Sequence, residues 1–206
     1  MTLSAAEVSQ RKQAIPVEGV LPAFHHRWSP RSFADKAVPT ELLEKAFEAA
    51  RWAASSSNEQ PWRYLVGLKG DATYDKIFSV LVPFNQSWAK TAPVLILGVA
   101  STKFSNSGEK NGYAFYDLGA ASAYFTLQAA ELGLATHSMA GFDNDAALKV
   151  LGVPEDFVVG AVIALGYQGE PAALGNEKMI ATEEAPRQRK PVSEFVFSSW
   201  GVPAKL

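Results

Sequence analysis

Two almost unbroken apolar runs constrain this chain more than anything else in it. They are Ala92-Pro93-Val94-Leu95-Ile96-Leu97-Gly98-Val99 and the Val- and Ile-rich stretch from Phe157 to Gln168. A strand with one wet face alternates apolar and polar residues, whereas a strand without alternation is covered on both faces. Both runs are too short to cross a bilayer. They call for a sheet with a layer on either side. The segments around them supply the layers. Pro39-Thr40 opens a helix, with Thr40 as its expected N-cap and Leu42, Leu43, Ala46, Phe47, Ala50 and Ala53 on one face. Trp62 to Val66 alternates as a strand does. Ala72 to Leu81 reads as a helix, and Phe84 to Trp88 as a short helix or loop. Leu134 to Met139 is a short strand, after which Asp143 caps a helix through Leu151. Gly169 to Pro186 reads as irregular chain. The expected fold is α+β in three layers, a central mixed β-sheet flanked by helices. One domain covers 21–206, preceded by an arm or short helix in 1–20.

At 206 residues, 48% hydrophobic and 19% charged, the chain is long enough and apolar enough to bury a core. Its formal net charge of −2 leaves no broad basic surface for nucleic acid. There is no cysteine, which removes disulfides, thiolate nucleophiles and Cys-type metal sites together. Met1 to Gln13 is polar, without an apolar run of signal-peptide length. The expectation is a cytoplasmic protein with no membrane partner.

The longest helix expected is Tyr113 to Leu132, ended by Gly133 at the position where a left-handed residue is favoured. Asp117 and Glu131 are its only formal charges, and small residues lie all round it. A helix without a wet face is buried. It is central to one subunit or lies at a subunit interface, the second fitting slightly better. Before it, Ser101 to Gly112 is loop-like and reads as a flap or a connector.

The chemistry is concentrated in basic clusters. Arg27-Trp28-Ser29-Pro30-Arg31-Ser32 holds two guanidinium forks, two hydroxyls and a stiffening proline. Guanidinium matches phosphate oxygens two at a time. The hexapeptide is an anion-binding loop or a solvated basic turn. Arg187-Gln188-Arg189-Lys190-Pro191 is a second such cluster. Three histidines without ligand spacing give no metal site, and His137 reads as a strand residue with one satisfied nitrogen. No nucleophile elbow, Walker loop, Gly-x-Gly-x-x-Gly or acid–base carboxylate pair is present. Arginines without catalytic side chains suggest that a phosphorylated cofactor carries the chemistry.

Five segments in order, from about Pro22 to about Phe197, resemble the FMN-dependent nitroreductase family. Arg27, Ser29 and Arg31 look like its amino-terminal flavin motif. Ala54-Ser55-Ser56-Ser57-Asn58-Glu59-Gln60-Pro61-Trp62 is similar to its Pro-Ser-x-x-Asn-x-Gln-Pro-Trp signature. Tyr116 to Ala120 and Ala130 to Leu134 are similar to its central helix and the following turn. Met139 to Asp143 resembles the segment beside flavin N5, and Arg187 to Pro191 the carboxy-terminal basic motif. This chain departs from the pattern at Ala54, where many members have proline, and at Ala140, where some have glutamate.

The resemblance implies a homodimer with FMN at the interface and no catalytic side chain. Arg27, Arg187 and Arg189 would hold the phosphate. Ser29 would bond the phosphate or ribityl region, and Arg31 the ribityl or the N1/O2 edge, with Trp28 in the same loop. Ser55, Ser56, Ser57, Asn58 and Gln60 would line the ring from the partner subunit. Ala140 and Gly141 would offer N–H groups to N5 and O4, and Asn85 or Gln86 would reach the pyrimidine edge. The implied reaction is ping-pong: hydride passes from NAD(P)H to flavin N5, then to an electron-poor acceptor such as a nitroaromatic or quinone. A flavin-binding or storage protein, or a related flavin reaction such as dehalogenation or enoate reduction, is the alternative.

Overall fold

The computed structural model of the protein describes residues 2–206. Four strands form the main sheet: β1 (Trp62–Leu68), β2 (Val94–Ser101), β3 (Ala135–Met139) and β4 (Phe157–Gly166), in the order β1-β2-β4-β3. The two apolar runs are the central strands. Along β2 every residue from Val94 to Ala100 is buried. Its side chains divide by the two-residue period of a strand. Leu95, Leu97 and Val99 join one core with Val162 and Ala164 of β4, while Val94, Ile96 and Ala100 join another with Ile163 and Leu165. That division makes the three layers.

The expected mixed sheet is corrected: each neighbouring pair is antiparallel, with Leu65 opposite Leu97, Leu97 opposite Val162, and Thr136 opposite Leu165. β2 and β3 do run parallel, because a helix carries the chain from the end of one to the start of the next. β4 then inserts between them, so they never pair.

The first core is closed by α4 (Ala72–Ser79), α5 (Pro83–Ala89) and α7 (Asn144–Leu151), which supply Tyr74, Ile77, Trp88 and Ala147. Asp143 caps α7 by accepting from the Ala146 N–H at 2.9 Å. The second core is closed by α3 (Thr40–Arg51) and α6 (Ala114–Glu131). The cap of α3 is Pro39, not Thr40; the Pro39 carbonyl accepts from the Leu42 N–H at 3.0 Å, and no side chain caps the helix. A proline with φ fixed at −59° already holds the extended ψ of a cap, so the helix starts one residue early.

α6 turns Ala114, Leu118, Ala121, Phe125 and Ala129 onto the sheet. Leu118 sits in a hollow made by glycines on adjacent strands: a Cβ at Gly160 would lie 2.6 Å from Leu118 Cδ2, and one at Gly98 3.3 Å from Cδ1. The opposite face of α6 exposes Phe115 (63%), Tyr116 (77%) and Tyr124 (46%), so within one chain the helix is covered on one side only. Gly133, at φ +76°, ends it as expected.

Helices also lie before and after this sheet-and-helix core. α1 (Ala5–Lys12) begins with a capping box of Ser4 and Glu7, and Val8 is fully buried. α2 (Pro22–His26) leads into the arginine loop. The stretch expected to be irregular instead holds a 3-10 turn at Pro171–Leu174 and α8 (Glu177–Glu184), capped by Asn176. α8 packs against the 3-10 turn and against α1 from the amino-terminal part of the chain. A small exposed hairpin, β5 (Phe197–Ser199) and β6 (Val202–Pro203), follows. Residues 101–112 fold into a short hairpin through the Lys103–Lys110 bridge. Among the described residues no helix is long and apolar enough to cross a membrane.

Candidate functional site

The loop from Arg27 to Phe33 is held by its backbone. Arg31 N–H and Ser32 N–H both donate to Glu183 Oε1, at 2.8 and 3.1 Å. Ser32 Oγ donates to the Glu170 carbonyl at 2.7 Å, and the Ser32 carbonyl accepts from the Gly169 N–H at 2.9 Å. The Ala34 N–H reaches the Tyr167 carbonyl, extending the line of β4. Gly169 has to be glycine here, since a Cβ would fall 2.6 Å from the Phe33 carbonyl carbon. With the backbone fixed at so many points, the arginine side chains project from a rigid frame.

Arg27 of this loop gathers with Arg187 and Arg189, from the chain after α8, without a carboxylate within 4.0 Å. Burial first, and the Arg189 cation second, lower the pKa of Arg27; burial, then Arg189 and Arg27, lower that of Arg187. Among the described residues the one ion pair within 4.0 Å is Arg51–Glu48, on the exposed side of α3. Arg27 Nη1 touches Ser29 Oγ at 3.4 Å. Arg187 donates both Nη groups to the carbonyls of His25 and Arg27. Both Nη groups of Arg187 thus brace the loop. Trp28 lies under the Lys12 ammonium, 4.7 Å from the ring centroid.

Arg31 lies over the rings of Phe84 and Trp88, at 5.9 and 6.0 Å. Beside it, His137 of β3 bonds the Pro30 carbonyl through Nδ1 at 3.0 Å and packs on Trp88 at 4.6 Å. A carbonyl only accepts, so Nδ1 carries the proton. Burial, then the Arg31 cation, pull this imidazole down to about 4, so it is neutral at pH 7. The expectation of a strand histidine with one satisfied nitrogen holds.

β3 leads to a corner of open backbone. Ala140 is exposed, and neither the Ala140 nor the Gly141 N–H donates to a protein acceptor among the described residues. The Gly141 carbonyl is fixed by the Val82 N–H at 3.1 Å and by Asn85 Nδ2 at 2.9 Å. Asn85 is buried, and its Nδ2 positions the Gly141 carbonyl. Gln86 Nε2 is likewise engaged, on the Phe78 carbonyl.

The serine-rich turn carries the most unusual backbone in the molecule. Ser57, Asn58 and Gln60 have φ of +53°, +55° and +51°, left-handed values that are rare for residues with a side chain. Such residues persist only where the surroundings hold them, and they cluster at ligand sites. The holding contacts are the Ser56 N–H to buried Asp117 Oδ2 at 3.1 Å and the Gln60 N–H to Ser55 Oγ at 3.0 Å. Glu59 ties the turn to the 101–112 hairpin through Ser105. Asp117 belongs to α6, whose next turn lines a groove with Ser138 and Ala140, about 430 Å³ in volume. No hydrogen bond joins the serine-rich turn to the arginine loop within one chain, among the described residues.

Residues 25–82 and 72–167 match the model of the Nitroreductase family, more than half of the chain. The chain belongs to the nitroreductase family. A putative NADH dehydrogenase/NAD(P)H nitroreductase of Archaeoglobus fulgidus is 30% identical over 157 residues, covering 73% of this chain and 86% of the relative. An uncharacterized 15.4 kDa protein of Mycolicibacterium smegmatis is 34% identical over 150 residues, 68% of this chain and 99% of its own. A crystal structure described as an oxidoreductase containing FMN superposes with a TM-score of 0.83 at 31% identity, covering 99% of this chain and 100% of that one.

The nitroreductase match ends before α8 and begins after α1. Sequence reasoning therefore missed Glu183 and Lys12, which reach the arginine loop from outside it. The one signal available was a Glu within a helix-forming stretch, Glu177 to Glu184.

Proposed function

We propose that this nitroreductase-family chain is an FMN-dependent oxidoreductase that takes hydride from NAD(P)H and passes it to an electron-poor acceptor. The observation that carries the reading is the cluster of Arg27, Arg187 and Arg189 without a carboxylate, where the chain after α8 meets the loop bonded to β3, whose far end offers the open N–H groups of Ala140 and Gly141. An anionic group is what such a cluster lacks. The family and the FMN-containing neighbour support its being the FMN phosphate.

Arg27 and Arg189 bind the phosphate, with Ser29 beside them. Arg187 braces the loop and keeps its Nε for the same anion. Trp28 walls that end. Ala140 and Gly141 donate N–H groups to the ring edge, in the orientation Asn85 imposes on the Gly141 carbonyl. Arg31 would lie near the ring, where its cation would favour the anionic, reduced form of a bound flavin. When bound, FMN supplies two-electron transfer from NAD(P)H to a nitroaromatic or quinone in two half-reactions that share one site. No side chain has to act as a catalytic acid.

A homodimer completes the site. Support for it is the exposed aromatic face of α6 and an apolar groove of about 560 Å³ between α2, α3 and α6, lined by Leu21, Phe24, Tyr124 and Leu127. Ser55, Ser56, Ser57, Asn58 and Gln60 then face the ring bound by the other subunit. The test is reconstitution: the flavin-free protein takes up FMN to one per chain and sediments as a dimer. A colourless protein that FMN cannot reconstitute defeats the reading.

A further inference from the structure

α1 and α8 lie at opposite ends of the chain, outside the family match, and both reach the arginine loop. Glu183 of α8 is 1% exposed, yet it is a carboxylate whose Oε1 accepts two loop N–H groups and whose Oε2 has no protein partner. Lys12 of α1 is 6% exposed; its ammonium donates to the Thr182 carbonyl at 3.2 Å and covers the Trp28 ring. Arg31 Nε is buried and unpartnered on the same loop. A buried carboxylate is costly unless cations and hydrogen bonds compensate it. Burial pushes the Glu183 carboxyl up, and the two loop N–H bonds, then the Arg31 and Lys12 cations, oppose it without either cation coming within 4.0 Å.

Neither Glu183 nor Lys12 belongs to either apolar core. Glu183 holds the backbone that presents Arg27, Ser29 and Arg31, and Lys12 ties α8, through the Thr182 carbonyl, to the Trp28 ring of the same loop. Resting on the FMN reading above, we infer that Lys12 and Glu183 form a brace that positions the Arg27–Ser32 loop for the cofactor's phosphate. Phosphate recognition then depends on both chain ends as well as on the family motif. Both are positioning residues.

The experiment titrates the full-length, flavin-free protein with FMN and with riboflavin, which lacks the phosphate, well below each variant's melting temperature. Glu183→Ala is expected to narrow the preference for FMN over riboflavin by roughly tenfold, the worth of one charged hydrogen bond. Glu183→Gln keeps an oxygen for both N–H groups and stays within about threefold of the parent. Lys12→Met keeps the packing on Trp28, loses the charge, and narrows the preference by about threefold. If Glu183→Ala weakens both flavins equally, the role is general folding and the inference fails; if Glu183→Gln is as damaging as Ala, the bonds to the loop N–H groups are not what positions it and the inference fails as well. Should Glu183→Ala not fold, Lys12→Met decides: an unchanged preference overturns the brace. A parent that binds neither flavin fails the functional reading itself, and the inference with it.

Discussion

Adding one methyl group at Gly141 tests the corner of open backbone. A Cβ there would lie 2.6 Å from Asn85 Nδ2 and 3.0 Å from Val82 Cγ2. Asn85 is 8% exposed and cannot swing into water, so Gly141→Ala must push its amide off the Gly141 carbonyl. One neutral hydrogen bond is lost, and overpacking adds strain, together roughly 2–4 kcal/mol. For a domain of this size each kcal/mol lowers Tm by about 2–4 °C, so a drop of about 5–15 °C is expected by calorimetry. FMN affinity falls with it, because the Ala140 and Gly141 N–H groups move. Asn85→Ala alone removes the bond but opens the space the methyl needs. The double variant is therefore less destabilised than the sum of the singles, by about 1 kcal/mol or more. A Tm within 2 °C of the parent for Gly141→Ala, or an additive cycle, would refute the packing argument.

Arg27→Ala and Arg189→Ala should each weaken FMN binding by roughly 1.5–3 kcal/mol while leaving a folded dimer, read by equilibrium dialysis and light scattering. Arg187→Ala should weaken FMN binding and also lower the Tm of the flavin-free protein, because the carbonyls of His25 and Arg27 lose their donor; an unchanged Tm would remove its bracing role. Asp117→Ala strands the Ser56 N–H beneath the left-handed turn at a cost of about 1–3 kcal/mol, whereas Asp117→Asn keeps an acceptor and costs less, as urea denaturation would report. His137 titrates at about 4 when folded, below its ordinary value of 6.5, so the unfolded chain binds the extra proton. The stability it contributes is full above pH 6.5 and is lost as pH falls toward 4, by about 2 kcal/mol at pH 5. His137→Gln should flatten that part of the pH profile, and a profile identical to the parent would deny the shift.

The layers were legible because β2 and β4 carry apolar side chains on both faces, and a two-residue period assigns them without knowledge of their neighbours. The Asp143 cap and the left-handed Gly133 were legible for the same reason: their causes lie within a few residues. Strand order was not, since the insertion of β4 between β2 and β3 is decided by packing. α8 was not either, because its partner α1 comes from the far end of the chain. The same distance hid the site's supports. Glu183 reaches Arg31 across 152 positions, and Asn85 reaches Gly141 across 56. The arginines and serines proposed to face an anion could be read from residue type; the groups that hold them could not. The left-handed turn at Ser57, Asn58 and Gln60 was also invisible, as none is glycine and the conformation is imposed by Asp117 and Ser55.

The central claim is that this chain moves electrons through a bound FMN. Its most direct test mixes the FMN-loaded protein with NADH or NADPH in the absence of oxygen while the yellow absorbance is followed. The account predicts rapid bleaching, and full return of colour when a nitroaromatic or quinone is added. Bound FMN that stays yellow, or bleaches far more slowly than free flavin is turned over by known reductases, would make the protein a flavin carrier and contradict the account.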